Sequence, residues 1–204
     1  NWKTCLDAFM EVYHAPTIHK DTVNILLDGN AMAAGLLKNG HSRMVTPKKM
    51  NLDGGFLGAE ESDYVPYIKT CDKIHAQTNV AYGMFPNFIT PTDTSGYPAI
   101  LFWPKGLRET EFEWTQLAPK WPGDEKPDYW NEQETSFDSI MNEDFQNLEP
   151  MQRSHDAGVF ESMPLNYQER RIYYYHQVID DWIGRDNLPE NIQVPNVLDP
   201  FIEI

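Results

Sequence analysis

Residues 79–117 read NVAYGMFPNFITPTDTSGYPAILFWPKGLRETEFEWTQL, and they carry the clearest strand pattern of the chain. Short runs rich in aromatic and β-branched residues alternate here with Pro, Gly, Asn and Asp, which favour turns. The pattern predicts strands over 79–90, 97–103 and 111–117. Because the connections between them are short, the strands indicate an antiparallel sheet.

Helical patterns flank this sheet on both sides. A helical spacing of apolar residues predicts a helix over 2–13, which ends near His14 because Pro16 prevents its continuation. The order of helix, sheet and long helices is that of an α+β fold, with helices on one face of an antiparallel sheet. The other predictions are strands over 22–27 and 40–45, a loop over 51–63, a helix over 64–76 and two long helices over 132–151 and 165–183.

Composition excludes several classes of partner. The chain has 204 residues, with 31 Asp and Glu against 16 Lys and Arg, so its formal net charge is −15. Such an excess of negative charge repels phosphate backbones and anionic lipids, which excludes nucleic acids and membrane surfaces as partners. No segment approaches the roughly 20 apolar residues that span a bilayer. We therefore expect a folded, acidic, soluble protein of one domain.

The cysteines indicate the cellular compartment, and the first residues of the chain indicate how the sequence begins. Cys5 and Cys71 could form one disulfide, but two cysteines make no disulfide framework, and two free thiols in a reducing cytoplasm are expected. The two cysteines cannot by themselves hold an iron–sulfur cluster, which needs four ligands. The chain begins at Asn1 with neither an initiator Met nor a signal region, so we interpret it as an excerpt from a longer polypeptide.

The chemistry is concentrated in residues 7–19, DAFMEVYHAPTIH. At about 100° per residue, Asp7, Glu11 and His14 would lie on one face of the predicted helix. His19 follows on the turn that leaves this helix and could swing back toward the same point. Two histidines so placed can hold adjacent positions on a metal, although a hydrogen-bonded core histidine is the simpler interpretation of either one alone.

A third metal ligand should be a carboxylate from elsewhere in the chain. Asp144 lies in the predicted helix over 132–151, where Phe137, Ile140 and Phe145 would face inward. Taken alone, it is one acid among 31, and a solvated helix face is its ordinary place.

Several motifs together resemble the catalytic domain of the large (alpha) subunit of Rieske non-haem iron oxygenases, the aromatic-ring-hydroxylating family. Any one motif is weak, but their order and spacing over nearly the whole chain are a strong signal. The motifs are Asn1-Trp2-Lys3, Glu11-x-x-His14-x-x-x-x-His19, Phe85-Pro86-Asn87, Trp103-Pro104-x-Gly106 and Glu143-Asp144-x-x-Asn147-x-Glu149-x-x-Gln152.

The resemblance implies a fold and a metal site. The implied fold is the helix-grip (START-like) type, a curved antiparallel sheet around a long C-terminal helix, with residues 1–204 as the catalytic domain. His14, His19 and Asp144 match the family's two-His, one-carboxylate ligands of Fe²⁺. Glu11 matches the acid that bridges these ligands to the Rieske cluster of a neighbouring subunit. Asp7 occupies a position often held by an amide, so it is either a further polar group of the catalytic site or a helix-face acid.

The substrate pocket can be drawn in part from residues near these ligands. Ala8, Val12 and Ala15 flank the first ligand, and Leu148 lies one helical turn after Asp144. Their side chains are small or aliphatic. They predict room for a bulky ring system near the metal.

The implied activity is that of a terminal oxygenase, which inserts one or both atoms of dioxygen into a hydrophobic aromatic or polycyclic substrate, as in aromatic hydrocarbon catabolism. Electrons would come from NAD(P)H through a separate reductase, a ferredoxin, or both. The Cys-x-His and Cys-x-x-His pairs that hold the family's 2Fe–2S cluster do not occur in this sequence. We expect them on an N-terminal domain upstream. Electron transfer between neighbours implies a homo-oligomer, most often a trimer, with or without small beta subunits.

Two other functions use the same features. Zinc accepts similar ligands, so a zinc hydrolase could use these three residues with Glu11 as general base. A helix-grip cavity can also hold a ligand without catalysis, as in a carrier. The motifs of serine hydrolases, phosphate-binding loops and zincins (GxSxG, a Gly-rich loop, HExxH) are missing from the sequence.

Overall fold

The computed structural model describes residues 1–49, 68–160 and 162–203. Within them, seven strands form one curved, open sheet in the order β6-β5-β4-β3-β2-β1-β7. Neighbouring strands are antiparallel, except that β7 runs parallel to β1. The strands are β1 (Ala33–Leu37), β2 (Ser42–Pro47), β3 (Thr78–Met84), β4 (Phe88–Thr92), β5 (Tyr97–Gly106), β6 (Glu109–Leu117) and β7 (Ile202–Glu203).

Six α-helices within the described residues complete the fold. The last of them is the long C-terminal helix around which the sheet curves, so the α+β, helix-grip prediction is confirmed. No helix in the described part of the chain is both long and apolar enough to cross a membrane. The helices are α1 (Trp2–Phe9), α2 (Ala15–Ile18), α3 (Val23–Leu26), α4 (Lys73–Gln77), α5 (Asp128–Asp156) and α6 (Arg170–Ile183).

Three of the elements predicted between residues 22 and 90 differ from the structure in kind or extent. The strand predicted over 79–90 is a hairpin of β3 and β4, because Pro86 and Asn87 form a turn between them. The strand predicted over 22–27 is the short helix α3, since the carbonyl of His19 accepts from the backbone N–H groups of the residues that enter it. Of the helix predicted over 64–76, the described residues 68–72 are not helical, and α4 begins at Lys73, where the Asp72 side chain caps it.

The predicted loop over 51–63 and the first residues of the predicted helix over 64–76 lie outside the described residues. The two long helices occur near their predicted positions. However, α5 begins four residues earlier than predicted, and α6 begins five residues later, at Arg170. A capping box between Asn166 and Glu169 precedes α6 and sets its start.

The main core lies between the sheet, α1 and α6. Each fully buried apolar side chain there contributes about 1.5–3 kcal/mol to folding. A second cluster holds the segment after α1 against strands β1 to β3 through Val12 and Ala15. The buried residues of the main core are Leu6, Met10, Ile89, Ile100, Phe102, Ile172, Tyr175 and Ile179.

Arg171 is a fully buried cation that ties these elements together. Its guanidinium donates to Ser42 Oγ on β2 at 3.0 Å, to the carbonyl of Met10 at 3.1 Å and to the carbonyl of Ala81 on β3 at 3.4 Å. Burial lowers the pKa of Arg171 to about 9. Because Met10 directly precedes Glu11, α6 holds the start of the segment that carries the first histidine.

Candidate metal centre

The backbone leaves helical geometry before it reaches the first histidine. Helix α1 ends at Phe9, and the Glu11 carboxylate then accepts hydrogen bonds from the backbone N–H groups of Tyr13 and His14. A side chain that bonds its own backbone in this way competes with helix formation. The prediction that the helix continues to Tyr13 is therefore wrong, and Asp7 does not share a helix face with Glu11 and His14.

Three side chains from distant parts of the sequence converge. One ligand atom from each of His14, His19 and Asp144 lies within 4.8 Å of the other two, and no other such group of three occurs in the described residues. Nε2 of His14 is 3.5 Å from Asp144 Oδ1, and Nε2 of His19 is 3.1 Å from the same oxygen. We call these three residues the metal group.

The opposite nitrogen of each imidazole meets a carboxylate. Nδ1 of His14 lies 2.5 Å from Glu11 Oε1, and Nδ1 of His19 lies 2.6 Å from Glu143 Oε2. Thr22 also donates its hydroxyl hydrogen to Glu143, at 2.7 Å. Because a carboxylate can only accept, both Nδ1 atoms carry the hydrogen. In the neutral form of each imidazole, Nε2 then presents a lone pair toward Asp144.

This arrangement calls for a cation at the centre of the metal group. Two lone pairs and a carboxylate repel each other unless a proton or a metal ion lies between them. Water screens them little, since the side chains of His19 and Asp144 are only 5% and 6% exposed. Burial opposes the charged form of His19, but the hydrogen bond and charge of Asp144 outweigh it, and the pKa of His19 is raised. Two imidazoles and one carboxylate suit ferrous iron, so the residues fit the metal that the resemblance implies.

Helix α5 places Asp144 on its buried side. Phe145 packs edge-to-face on Phe112 of β6 at 4.9 Å between ring centroids, and Phe137 packs on Trp114 at 4.5 Å. One of these aromatic contacts precedes Asp144 in the sequence and the other follows it. Together they fix α5 against the sheet around the carboxylate. Asp144 therefore comes from a rigid element, whereas the two histidines come from the turns between α1 and α3.

An apolar cavity of about 110 Å³ begins at the metal group and runs between α1, the sheet and α5. Ala8 and Val12 line this apolar cavity, whereas Ala15 and Leu148, also expected there, are not among its lining residues. Ala15 packs in the second core cluster instead. Leu148 follows Asp144 on α5, whereas the cavity extends from Asp144 toward the N-terminus of the helix, along Phe137 and Ile140.

Asp7 lies away from the metal group. Its two carboxylate oxygens are 2.9 and 3.0 Å from Nε2 of His176 on α6. Both residues line a wide surface cleft that is separate from the apolar cavity. The Asp7 side chain thus projects from α1 toward α6, and the structure does not bring it to the metal group.

Sequence reasoning missed Glu143. An oriented imidazole needs an acceptor for its second nitrogen, and only Glu11 was considered for that role. The signal was present, since Glu143 directly precedes Asp144 in the acidic motif. Successive residues on a helix point about 100° apart, so one acid can join the metal group while the other reaches the back of His19.

Comparison with known proteins agrees with this geometry. No curated protein matches the chain significantly. The family model for the ring-hydroxylating alpha subunit (catalytic domain) matches residues 1–185, which include the whole metal group, the sheet from β1 to β6 and helix α6. Proteins of this kind generally use Fe²⁺, act with electron-transfer partners and oligomerise. By this match over most of its length, the chain belongs to the ring-hydroxylating oxygenase alpha subunits, of which it carries the catalytic domain.

Proposed function

We propose that this chain is the catalytic domain of a terminal oxygenase that hydroxylates a hydrophobic aromatic or polycyclic molecule at a mononuclear Fe(II) site. His14, His19 and Asp144 would hold the iron. When bound there, iron supplies the position at which dioxygen is activated for attack on the substrate. The observation that carries the proposal is the convergence of two Nε2 atoms on Asp144, with both Nδ1 atoms held by other carboxylates.

The other residues have supporting tasks. Glu11 and Glu143 fix the tautomer and the ring orientation of the two histidines, which strengthens them as ligands. The apolar cavity seats the substrate beside the metal group and keeps water away through side chains such as Val12 and Ile140. Its walls select a hydrophobic ring system, but they do not choose between insertion of one oxygen atom and of two.

The electrons must arrive from outside residues 1–204. We propose that a 2Fe–2S Rieske centre lies on an upstream domain or on a neighbouring subunit of a homo-oligomer, a trimer. The enzyme would be cytoplasmic, and a reductase or ferredoxin would supply the Rieske centre with electrons from NAD(P)H. Glu11 would stand on that route. The side chain of Glu11 is 10% exposed, and Tyr13, two residues later, is 60% exposed, so this side of the site lies near the surface.

Of the two rival functions, the zinc hydrolase fits the geometry less well. A general base needs a free carboxylate oxygen toward the substrate, but Glu11 already uses one oxygen on His14 Nδ1 and the other on two backbone N–H groups. The ligand carrier leaves the convergence of two histidines and a buried acid without a purpose.

Metal analysis of anaerobically purified protein tests the proposal. We expect close to one iron per chain and iron-dependent product formation by the full-length protein with its reductase. Zinc alone would favour the hydrolase, and a metal-free protein that still binds hydrophobic ligands would favour the carrier. Hydroxylation by residues 1–204 alone, with NADH and reductase, would contradict the proposed electron route.

A further inference from the structure

A second, smaller cavity of about 60 Å³ adjoins the apolar cavity, and Asn79, Pro91, Phe137 and Ile140 line both. Its character is different, because uncharged polar side chains form much of its wall. We call it the polar cavity. These polar side chains are Asn79, Ser95, Gln116, Trp130, Gln133 and Ser136.

Two of its side chains offer hydrogen bonds from buried positions. Trp130 is 2% exposed, and its indole N–H has no hydrogen-bond partner among the described residues. A buried indole N–H normally has one, because leaving it unpaired costs free energy. Asn79 is 5% exposed and donates to the carbonyl of Thr92 at 3.3 Å, which engages only part of its amide. The polar cavity therefore contains hydrogen-bond donors with unused capacity.

The charges at this cavity are already balanced. Asp93 also lines it, and the Lys48 ammonium lies 3.2 Å from the Asp93 carboxylate, with both side chains about 5–6% exposed. An anionic ligand group would lie beside the Asp93 carboxylate, whose counter-ion Lys48 is already engaged. Such a group would be an unpaired buried charge, which is costly. The polar cavity thus favours an uncharged group that accepts hydrogen bonds.

Helix α5 contributes residues to both the metal group and the polar cavity, so its rise per residue gives the distance between them. Asp144 belongs to the metal group, Phe137 lines both cavities, and Ser136 and Gln133 line the polar cavity. At about 1.5 Å per residue, Ser136 lies roughly 12 Å from Asp144 along the helix axis. A ligand that reaches both places must be elongated.

We propose that the polar cavity is a subsite for an uncharged, hydrogen-bond-accepting group, such as a ketone, at the far end of an elongated hydrophobic substrate. The inference rests on the proposed function and deepens it by naming the substrate class. The rings occupy the apolar cavity, with one end at the metal group. The Trp130 indole donates to the polar end, and Asn79 completes its surroundings.

Three ligands that share the biphenyl ring system test the subsite: biphenyl, 4-acetylbiphenyl and biphenyl-4-carboxylate. Their affinities are measured by calorimetry on the iron-loaded, full-length protein without oxygen. We expect the ketone to bind about fivefold more tightly than biphenyl, the value of one neutral hydrogen bond. We expect the carboxylate to bind more weakly than biphenyl. Equal affinity for ketone and hydrocarbon, or tight binding of the carboxylate, would overturn the proposal.

Matched variants locate the effect. Trp130→Phe removes the N–H and keeps an aromatic ring, so the preference for the ketone should fall to nearly onefold while biphenyl binds as before. Asn79→Leu, of similar size, should reduce the preference in part. The control is Trp103→Phe, which removes an indole N–H that donates to the exposed side of Glu113 and should change nothing. A preference that survives both cavity variants would mean that the polar cavity holds water only.

The same samples separate this inference from the proposed function. Iron content is measured beside each titration. If iron is present and the ketone preference is missing, only the subsite fails. If iron does not bind but the preference remains and depends on Trp130, the oxygenase proposal fails, and the polar cavity serves a carrier instead.

Discussion

The metal group and the Asp7–His176 pair are both built from histidine and carboxylate, yet only one of them has the form of a metal site. In both regions an imidazole nitrogen lies within 3.0 Å of a carboxylate oxygen. In the metal group the carboxylates take Nδ1, and both Nε2 atoms remain directed at buried Asp144. In the other region Asp7 takes Nε2 itself, and both side chains are about one quarter exposed. The difference shows that convergence of ligand atoms, rather than pairing, distinguishes the candidate metal site.

The strongest test of this comparison is Asp144→Ala. It removes the carboxylate on which both Nε2 atoms converge, so we expect no measurable iron and no activity. The fold should persist, because the aromatic contacts of Phe137 and Phe145 that hold α5 on the sheet remain. Metal analysis and denaturant unfolding of the same preparation measure both effects.

Glu149→Ala is the matched control on the same helix. Its side chain is 80% exposed and, among the residues that the structure describes, pairs with Arg153 one turn later. Exposed pairs of this kind are worth about 0.5 kcal/mol or less, so iron content and stability should hardly change. Full iron occupancy in the Asp144 variant would show that the metal lies elsewhere.

The second test breaks the link between the two regions. Arg171 lies on α6, one and a half turns before His176, and donates to the carbonyl of Met10 just before Glu11. Arg171→Met leaves three buried oxygens without their donor, and we expect a loss of about 3 kcal/mol in unfolding free energy. Urea titration measures it, with metal affinity as the second readout. A variant as stable as the parent would mean that the buried charge costs as much as its hydrogen bonds contribute.

The sequence predicts the regular parts of this molecule better than its turns. The strands after residue 78 and the two long helices follow from hydrophobic spacing and turn residues, and the order of motifs identified the family. The end of α1 could not be predicted from spacing, because apolar residues continue through Met10 and Tyr13 while the Glu11 side chain takes backbone N–H groups from the helix. The same local event removes Asp7 from the face that it would share with the metal ligands.

The candidate site divides in the same way. His14, His19 and Asp144 could be named because the motif carries them, but their distances depend on how α5 packs on the sheet. Glu143 could also be predicted, but only if each imidazole is assigned its own carboxylate acceptor. Glu143, directly before Asp144, is then the candidate acceptor for His19. The polar cavity could not be predicted, since Asn79 and Trp130 are far apart in sequence and only the adjoining sheet and helix bring them to one place.

The third test compares the two acceptors within the metal group. Glu11→Gln and Glu143→Gln keep the size of each side chain but remove the charge that orients an imidazole. Loss of such a partner weakens metal affinity by about 10–100-fold. We expect both variants to keep iron at saturating metal, and we expect Glu11→Gln in addition to slow electron delivery sharply, measured by single-turnover reduction. Normal turnover in Glu11→Gln would remove Glu11 from the electron route.

The smallest effect is expected for Asp7→Asn, which alters the second region only. The amide can still accept a hydrogen bond from His176, and a partly exposed ion pair contributes no more than about 1 kcal/mol, so stability should change little. Iron content should equal that of the parent, because Asp7 contacts α6 rather than the metal group. Turnover by the full-length protein then decides between the two roles considered for Asp7. Unchanged turnover makes it a helix-face acid. A slower reaction with full iron occupancy would mean that a partly exposed pair outside the apolar cavity still acts on catalysis. The two regions would then no longer differ in function as their geometry indicates.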